Sequence, residues 1–176
     1  MNPSEDATHP KQGFCIEEFS PSNLADVVDL ILPIQQQEFG ISIGKQDQPD
    51  LLDIPKFYRE PGGNFWVARV DGRVVGTIGL LAIGNQQAAL RKMFVAKEFR
   101  GREKKVAQAL LETLLNWAQA RGLQEIFLGT TDKFLAAHRF YEKNGFIRVE
   151  PEQLPPAFPR MAVDSVFYAR ALKKCL

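Results

Sequence analysis

Cysteine and histidine are nearly absent from these 176 residues, with two of each. Cys15, Cys175, His9 and His138 offer no ligand set for a structural metal, zinc included. The cysteines stand near opposite ends. They can pair, but a reduced buried thiol or a free tail thiol is the expected state in a cytosolic protein. No apolar run approaches the roughly 20 residues that span a bilayer, and Met1 to Gln12 is polar, unlike a secretory or transit segment. The expectation is a cytoplasmic protein with no membrane partner. Excess charge is missing too: 22 Lys and Arg against 21 Asp and Glu leave a formal charge of +1. No basic face interleaved with aromatics is visible, so nucleic acid is not an expected partner. Internal repeats and low-complexity stretches are also absent.

What is present fits one ordinary domain. The apolar fraction is 45% and the charged fraction 24%, and this length buries a core without staples. Residues 1–12 read as a flexible tail and 13–176 as a single domain. Gly13 to Phe19 suggest a strand. Ser20 to Asn23 open a helix whose apolar positions are Leu24, Val27, Val28, Ile31 and Leu32. Pro33 interrupts or kinks it before Gly40. Residues 40–63, rich in Gly and Pro, read as a long loop with one short helix near Leu51 to Arg59; such a loop is uncommon unless functional. Asn64 to Val70 and Arg73 to Ile83 flank Asp71-Gly72, a strong hairpin signal. A turn at Gly84-Asn85 leads to a third strand, Gln87 to Ala96. Helical periodicity follows from Val106 to Gly122, then a strand at Glu125 to Gly129, a helix at Lys133 to Lys143 and strands at Phe146 to Val149 and Val163 to Leu172. The order predicts an α/β (α+β) domain with a mixed, mostly antiparallel central sheet of six to seven strands and helices on both faces.

Two segments carry chemistry. In the first, a strand ending near Val95 runs into a basic loop, and a helix begins near Arg102. A helix start leaves its first N–H groups unpaired at the positive end of the dipole, so it suits an anion. Lys97, Arg100, Arg102, Lys104 and Lys105 surround it, and small Ala107 permits close approach by a diphosphate. Basic helix starts are also common as solvated surface. In the second, Phe134, Ala137, His138 and Tyr141 share one helix face by spacing, and the helix ends Phe140-Tyr141-Glu142-Lys143-Asn144-Gly145-Phe146.

Leu90-x-x-Met93-Phe94-Val95, four residues, Arg100-Gly101, then a small residue and Leu110-Leu111 resemble motif A of the GNAT superfamily of acyl-CoA N-acyltransferases. The Phe-Tyr-Glu-Lys-Asn-Gly-Phe ending resembles its motif B. The resemblance spans residues 14 to 172. It implies a splayed strand pair that receives the cofactor, here acetyl-CoA. Met93, Phe94 and Val95 would line the pantetheine arm. Arg100, Gly101, Arg102, Glu103, Lys104, Lys105, Val106 and Ala107 would form the pyrophosphate loop. Tyr141 would be the general acid to the departing thiolate. Thr131, Phe134 and Ala137 fall on the cofactor side of the second segment. The loop departs from the family pattern: either it is two residues longer and lacks a second Gly, or Lys105 takes that Gly place. Phe134 stands where the family commonly has Asn.

The acceptor side is less marked. The strand carries no acid where relatives often place a base; Arg91 and Lys92 there suggest an acceptor bearing a carboxylate or phosphate. Glu38 is the first candidate base, with Asp47, Asp50, Asp53 and His138 behind it, and Phe158 to Met161 a candidate opposite wall. The reading is N-acetyl transfer from acetyl-CoA to an unidentified primary amine, a small molecule or peptide, by direct attack. The alternative is a degenerate domain that senses acyl-CoA or serves interactions. Exposed sheet edges in this fold suggest a homodimer.

Overall fold

A computed structural model describes residues 13–101 and 105–173. Seven strands form one sheet in the order β1-β2-β3-β4-β5-β7-β6. They are β1 (Cys15–Glu18), β2 (Asn64–Val70), β3 (Arg73–Gly84), β4 (Gln87–Val95), β5 (Glu125–Thr130), β6 (Ile147–Val149) and β7 (Val166–Ala171). The helices are α1 (Leu24–Pro33), α2 (Pro49–Leu52), α3 (Val106–Ala120) and α4 (Leu135–Lys143). Every neighbouring pair is antiparallel except β4 with β5.

The meander β2-β3-β4 follows from its turns. Asp71 and Gly72 both have positive φ, 48° and 78°, the hand that suits a two-residue hairpin. The next turn falls on Asn85-Gln86, φ 53° and 59°, because Gly84 still pairs with Gln87. Two glycines of β3 show that helical elements cover both faces. A Cβ on Gly76 would stand 2.9 Å from Leu110 of α3, and one on Gly79 would stand 3.0 Å from the ring of Tyr58. Tyr58 belongs to a π-helical turn, Pro55–Arg59, so α3 and this turn lie on opposite sides.

Between α1 and β2 the chain is more ordered than its Gly and Pro content suggests. Pro33 ends α1 without ending the helix: Ile34–Glu38 continues as a π-turn, with Phe39 N–H donating to the Ile34 carbonyl at 3.0 Å. A wide turn beside a proline is a common accommodation. A 3-10 turn at Lys45–Asp47, α2 and the Pro55–Arg59 turn follow. Their core contacts are Leu51, Ile54 and Tyr58, all fully buried. At the C-terminal end β7 begins at Val166, not Val163, because residues 161–164 close a turn in which Asp164 N–H donates to the Met161 carbonyl at 3.0 Å.

Candidate active site

The sheet opens at its one parallel junction. β4 and β5 pair only at Gln87–Glu125, Ala88–Ile126 and Ala89–Phe127. Beyond Ala89, β4 stays on β3 as far as Val95, and β5 stays on β7 through Thr130. From Leu90 onward the β5-facing edge of β4 therefore has no strand partner among the described residues. A cleft of about 920 Å³ occupies this opening. Met93, Phe94, Val95, Arg100, Thr131, Phe134, Ala137 and Tyr141 all line it, so the splay brings both sequence segments together.

A bulge in β4 shapes one wall. Thr77 faces Phe94 and Gly79 faces Arg91, so Lys92 and Met93 together oppose Ile78. Lys92 takes a left-handed φ of 53°, and its carbonyl accepts the Thr77 hydroxyl at 2.7 Å. The kink lets consecutive residues reach the same side: Arg91 Nη2 and Lys92 Nζ lie 4.0 and 3.6 Å from Asp50 Oδ2. Asp50 is 3% exposed and also accepts the Tyr58 hydroxyl at 2.6 Å. Lys92 further donates to Gln48 Oε1 at 2.5 Å. Gln48 and Gln35 exchange side-chain amide hydrogen bonds of 2.8 and 3.0 Å, which tie the π-turn to the residue that precedes α2. Burial lowers the Lys92 pKa, and Asp50 opposes that shift. Arg91 and Lys92 thus bring two positive charges to this wall; both lie against Asp50, and Arg91 also acts on Asp164.

Tyr141 sits on the other wall. It is 6% exposed, and its ring packs against Phe140, Phe146 and Tyr168 with centroids 5.6, 5.6 and 6.1 Å away. Burial drives its pKa well above the ordinary tyrosine value, so it stays protonated. Phe134 stacks on Phe39 at 3.9 Å, and Phe39 meets Phe94 at 6.5 Å. Three aromatics from three elements thus close over the cleft where the family pattern has Asn.

The basic loop is described in part. Arg102, Glu103 and Lys104 lie outside the described residues. Helix α3 starts at Val106, later than the expected start near Arg102. Among the described residues its first internal bond runs from Ala109 N–H to the Lys105 carbonyl, 3.0 Å, and none is recorded for the amides of Val106, Ala107 and Gln108. The Val106 side chain turns inward and is 1% exposed, and of the described loop residues expected at the pyrophosphate only Arg100 lines the cleft; Gly101, Lys105, Val106 and Ala107 do not. Gly101 has φ 109°, in a region few other residues adopt. Lys105 has φ 58°, where Gly is also preferred. Lys105→Gly is therefore expected to stabilise the fold by about 0.5–1 kcal/mol, since the left-handed cost of about 1–2 kcal/mol exceeds the entropy that Gly adds, about 0.5–1 kcal/mol. A melting temperature raised by about 1–4 °C is the check.

Glu38 and Arg100 meet each other. Arg100 Nη2 donates to Glu38 Oε2 at 2.6 Å and its Nε donates to the Val95 carbonyl at 2.8 Å. Glu38 does not line the cleft; it faces a neighbouring hollow with Asp26, Asp29 and Lys97. Asp47 lines the cleft but caps its own turn, accepting from Gly44 N–H at 2.9 Å. Asp53 accepts from Lys56 N–H at 3.2 Å and lies outside. A ring nitrogen of His138 is held 2.8 Å from the Thr131 carbonyl, which orients the strand-to-helix loop. Phe158, Pro159 and Met161 form the opposite wall, and with them comes Asp164, which the sequence pattern did not single out.

An open mixed sheet split between β4 and β5, with a buried tyrosine beside the split and a helix following β4, defines the GNAT class of fold. The chain belongs to that family: the model of the Acetyltransferase (GNAT) family matches residues 28–146. Among solved structures it resembles an acetyltransferase of the GNAT family from Staphylococcus aureus Mu50, 40% identical with a TM-score of 0.87, over 92% of this chain and 100% of that one. An acetyltransferase from Streptococcus agalactiae 2603 is 33% identical with a TM-score of 0.86, over 92% and 99%. Among curated proteins, N-acetylaspartate synthetase of Xenopus tropicalis is 35% identical over 125 residues, 68% of this chain and 45% of that protein. The chain spans about half the length of the curated relatives it matches.

Proposed function

We propose that this protein transfers an acetyl group from acetyl-CoA to a primary amine that also bears a carboxylate or another anionic group. The observation that carries the transfer is the unpartnered edge of β4 facing Tyr141 across one cleft. A pantetheine arm carries amides, and an open strand edge accepts such a guest as it would another strand. The α3 amides then meet the diphosphate, helped by the charge of Lys105. The thioester carbon is brought to the split, the amine attacks it directly, and the sulfur leaves towards Tyr141. No covalent intermediate on the protein is needed.

The anionic group on the acceptor is supported by Arg91 and Lys92, two cationic side chains that line the cleft. The likeness to a protein named N-acetylaspartate synthetase agrees with it, since aspartate is an amine with carboxylates. Calorimetric titration with acetyl-CoA, followed by thiol release with glycine, L-aspartate and uncharged primary amines, tests the whole reading. Micromolar binding and release that favours the carboxylates are expected. An absence of acetyl-CoA binding would sink it, and binding without amine-dependent release would leave only a sensor.

Arg91→Gln separates the two halves. Loss of a charged hydrogen bond to an acceptor carboxylate is worth about 1.5–3 kcal/mol, so KM for L-aspartate should rise by roughly 10- to 100-fold. Affinity for acetyl-CoA should not move.

A further inference from the structure

Resting on the acetyl-transfer reading, the remaining question is where the amine leaves its proton. Attack needs the free amine, whereas an ordinary primary amine arrives as an ammonium ion. Glu38 and Asp50 are paired with cations, and Asp47, which like Asp164 accepts one backbone N–H, is exposed to solvent. Asp164 is more sheltered. It lines the cleft, half-buried, in the turn that leads into β7. Oδ2 accepts Met161 N–H at 3.0 Å, which fixes the carboxylate, and among the described residues Oδ1 has no hydrogen-bond partner.

Gly129 makes room for it. A Cβ on Gly129 would stand 2.5 Å from Asp164 Oδ2 and 2.7 Å from its carboxyl carbon. The carboxyl therefore rests on bare backbone of β5, just past the point where β4 and β5 part. Neighbouring residues of a strand face opposite ways. Leu128 pairs with Tyr168, on which Tyr141 packs. Gly129 pairs with Phe167, whose ring meets Phe158 at 6.2 Å. Tyr141 and Asp164 thus approach the split from opposite faces of the sheet, and Arg91 lies on the Asp164 side, its Nη2 3.7 Å from Met161 Sδ.

We propose that Asp164 is the proton acceptor for the attacking amine, working across the split from Tyr141. Asp164 takes one proton from the ammonium ion. The freed electron pair forms the C–N bond to the thioester carbonyl carbon. The C–S bond breaks with its pair on sulfur, and Tyr141 donates a proton to that sulfur. The second proton lost from nitrogen returns through solvent to Tyr141, and Asp164 later releases its own proton to solvent. The balance is one amide, one thiol and one proton. Burial raises the Asp164 pKa, which strengthens it as a base, and the Met161 N–H and the charges of Arg91 and Arg160 restrain the rise.

Asp164→Asn tests this, because an amide oxygen still accepts from Met161 N–H and keeps the turn. The probes are acetyl-CoA with glycine or L-aspartate, which are ammonium ions at neutral pH, and with hydroxylamine, which is not. Turnover of the amino acids at neutral pH should fall on the order of 100-fold, the usual contribution of a general base. That loss should shrink as pH rises and free amine forms unaided. Turnover of hydroxylamine and affinity for acetyl-CoA should hold. Equal losses for all nucleophiles at every pH would assign Asp164 to the turn alone and overturn the proposal, as would no loss at all. If the unaltered protein binds acetyl-CoA but acetylates none of these probes, the transfer reading itself has failed, and the base falls with it.

Discussion

Asp50→Ala should cost about 3–5 kcal/mol of stability, the usual penalty when one partner of a buried ionic cluster is removed. The residue is 3% exposed and holds three groups at once: the Tyr58 hydroxyl at 2.6 Å, Lys92 at 3.6 Å and Arg91 at 4.0 Å. Without it, the hydroxyl of a fully buried tyrosine loses its acceptor and two cations face each other with nothing between them. For a chain of this length a loss of that size lowers the melting temperature by roughly 6–20 °C. The pH dependence has a definite sign. Burial lowers the folded pKa of Lys92, and Asp50 partly restores it, so the variant pushes it lower still. The unfolded chain then binds a proton that the folded chain gives up. Stability of the variant must rise with pH until the ordinary lysine pKa, near 10.4, is reached. Melting at pH 7 and pH 9.5 should show a deficit that narrows at the higher value. Asp50→Asn, which keeps an acceptor for Tyr58, should lose less. A deficit that is flat with pH would remove Lys92 from the explanation.

That cluster also marks where sequence reasoning stops. The hairpin at Asp71-Gly72, the α3 stripe and the strand–helix segment at 125–146 were legible because their signals are local: a turn dipeptide, a 3.6-residue period, a contiguous motif. The splay was legible only through family resemblance, since nothing within β4 or β5 says that pairing ends at Ala89. Residues 40–63 read as a loop because Gly and Pro punctuate them. In the structure Gln48 and Asp50 are buried there by Tyr58 within the segment and by Gln35 and Lys92 outside it. A buried glutamine and a solvated one look alike in a sequence. Lys92 and Arg91 were read as acceptor contacts, but the strand alternation expected for them hid the bulge that turns both to one side.

Asp164 was missed for a related reason. Its clue is shared between two positions, an acid in an irregular stretch and a glycine inside a buried strand. Gly129 alone suggests a close approach of some kind, and only the folded sheet shows that the approaching group is a carboxyl. Glu38 was the first candidate base, and the structure gives it to Arg100 at 2.6 Å instead. The two residues that looked like base and phosphate ligand form a pair that joins the π-turn to the loop before α3.

Tyr141→Phe should lower kcat by about 100-fold or more, within the range that a positioned general acid supplies. Affinity for acetyl-CoA should stay unchanged, because the ring and its packing against Phe140, Phe146 and Tyr168 remain. Melting should therefore move little, which separates this variant from Asp50→Ala. Burial keeps the tyrosine protonated far above neutral pH, so the unaltered enzyme should show no alkaline loss from Tyr141 across the range in which amines titrate. The leaving group gives the sharper test. A thiolate of lowered basicity departs without a proton, so an activated thioester donor should recover much of the lost rate in the Phe variant. The same recovery should be absent in Asp164→Asn, whose defect lies on the amine. A Phe variant with undiminished kcat would mean that solvent protonates the sulfur, and Tyr141 would then be only a wall of the cleft.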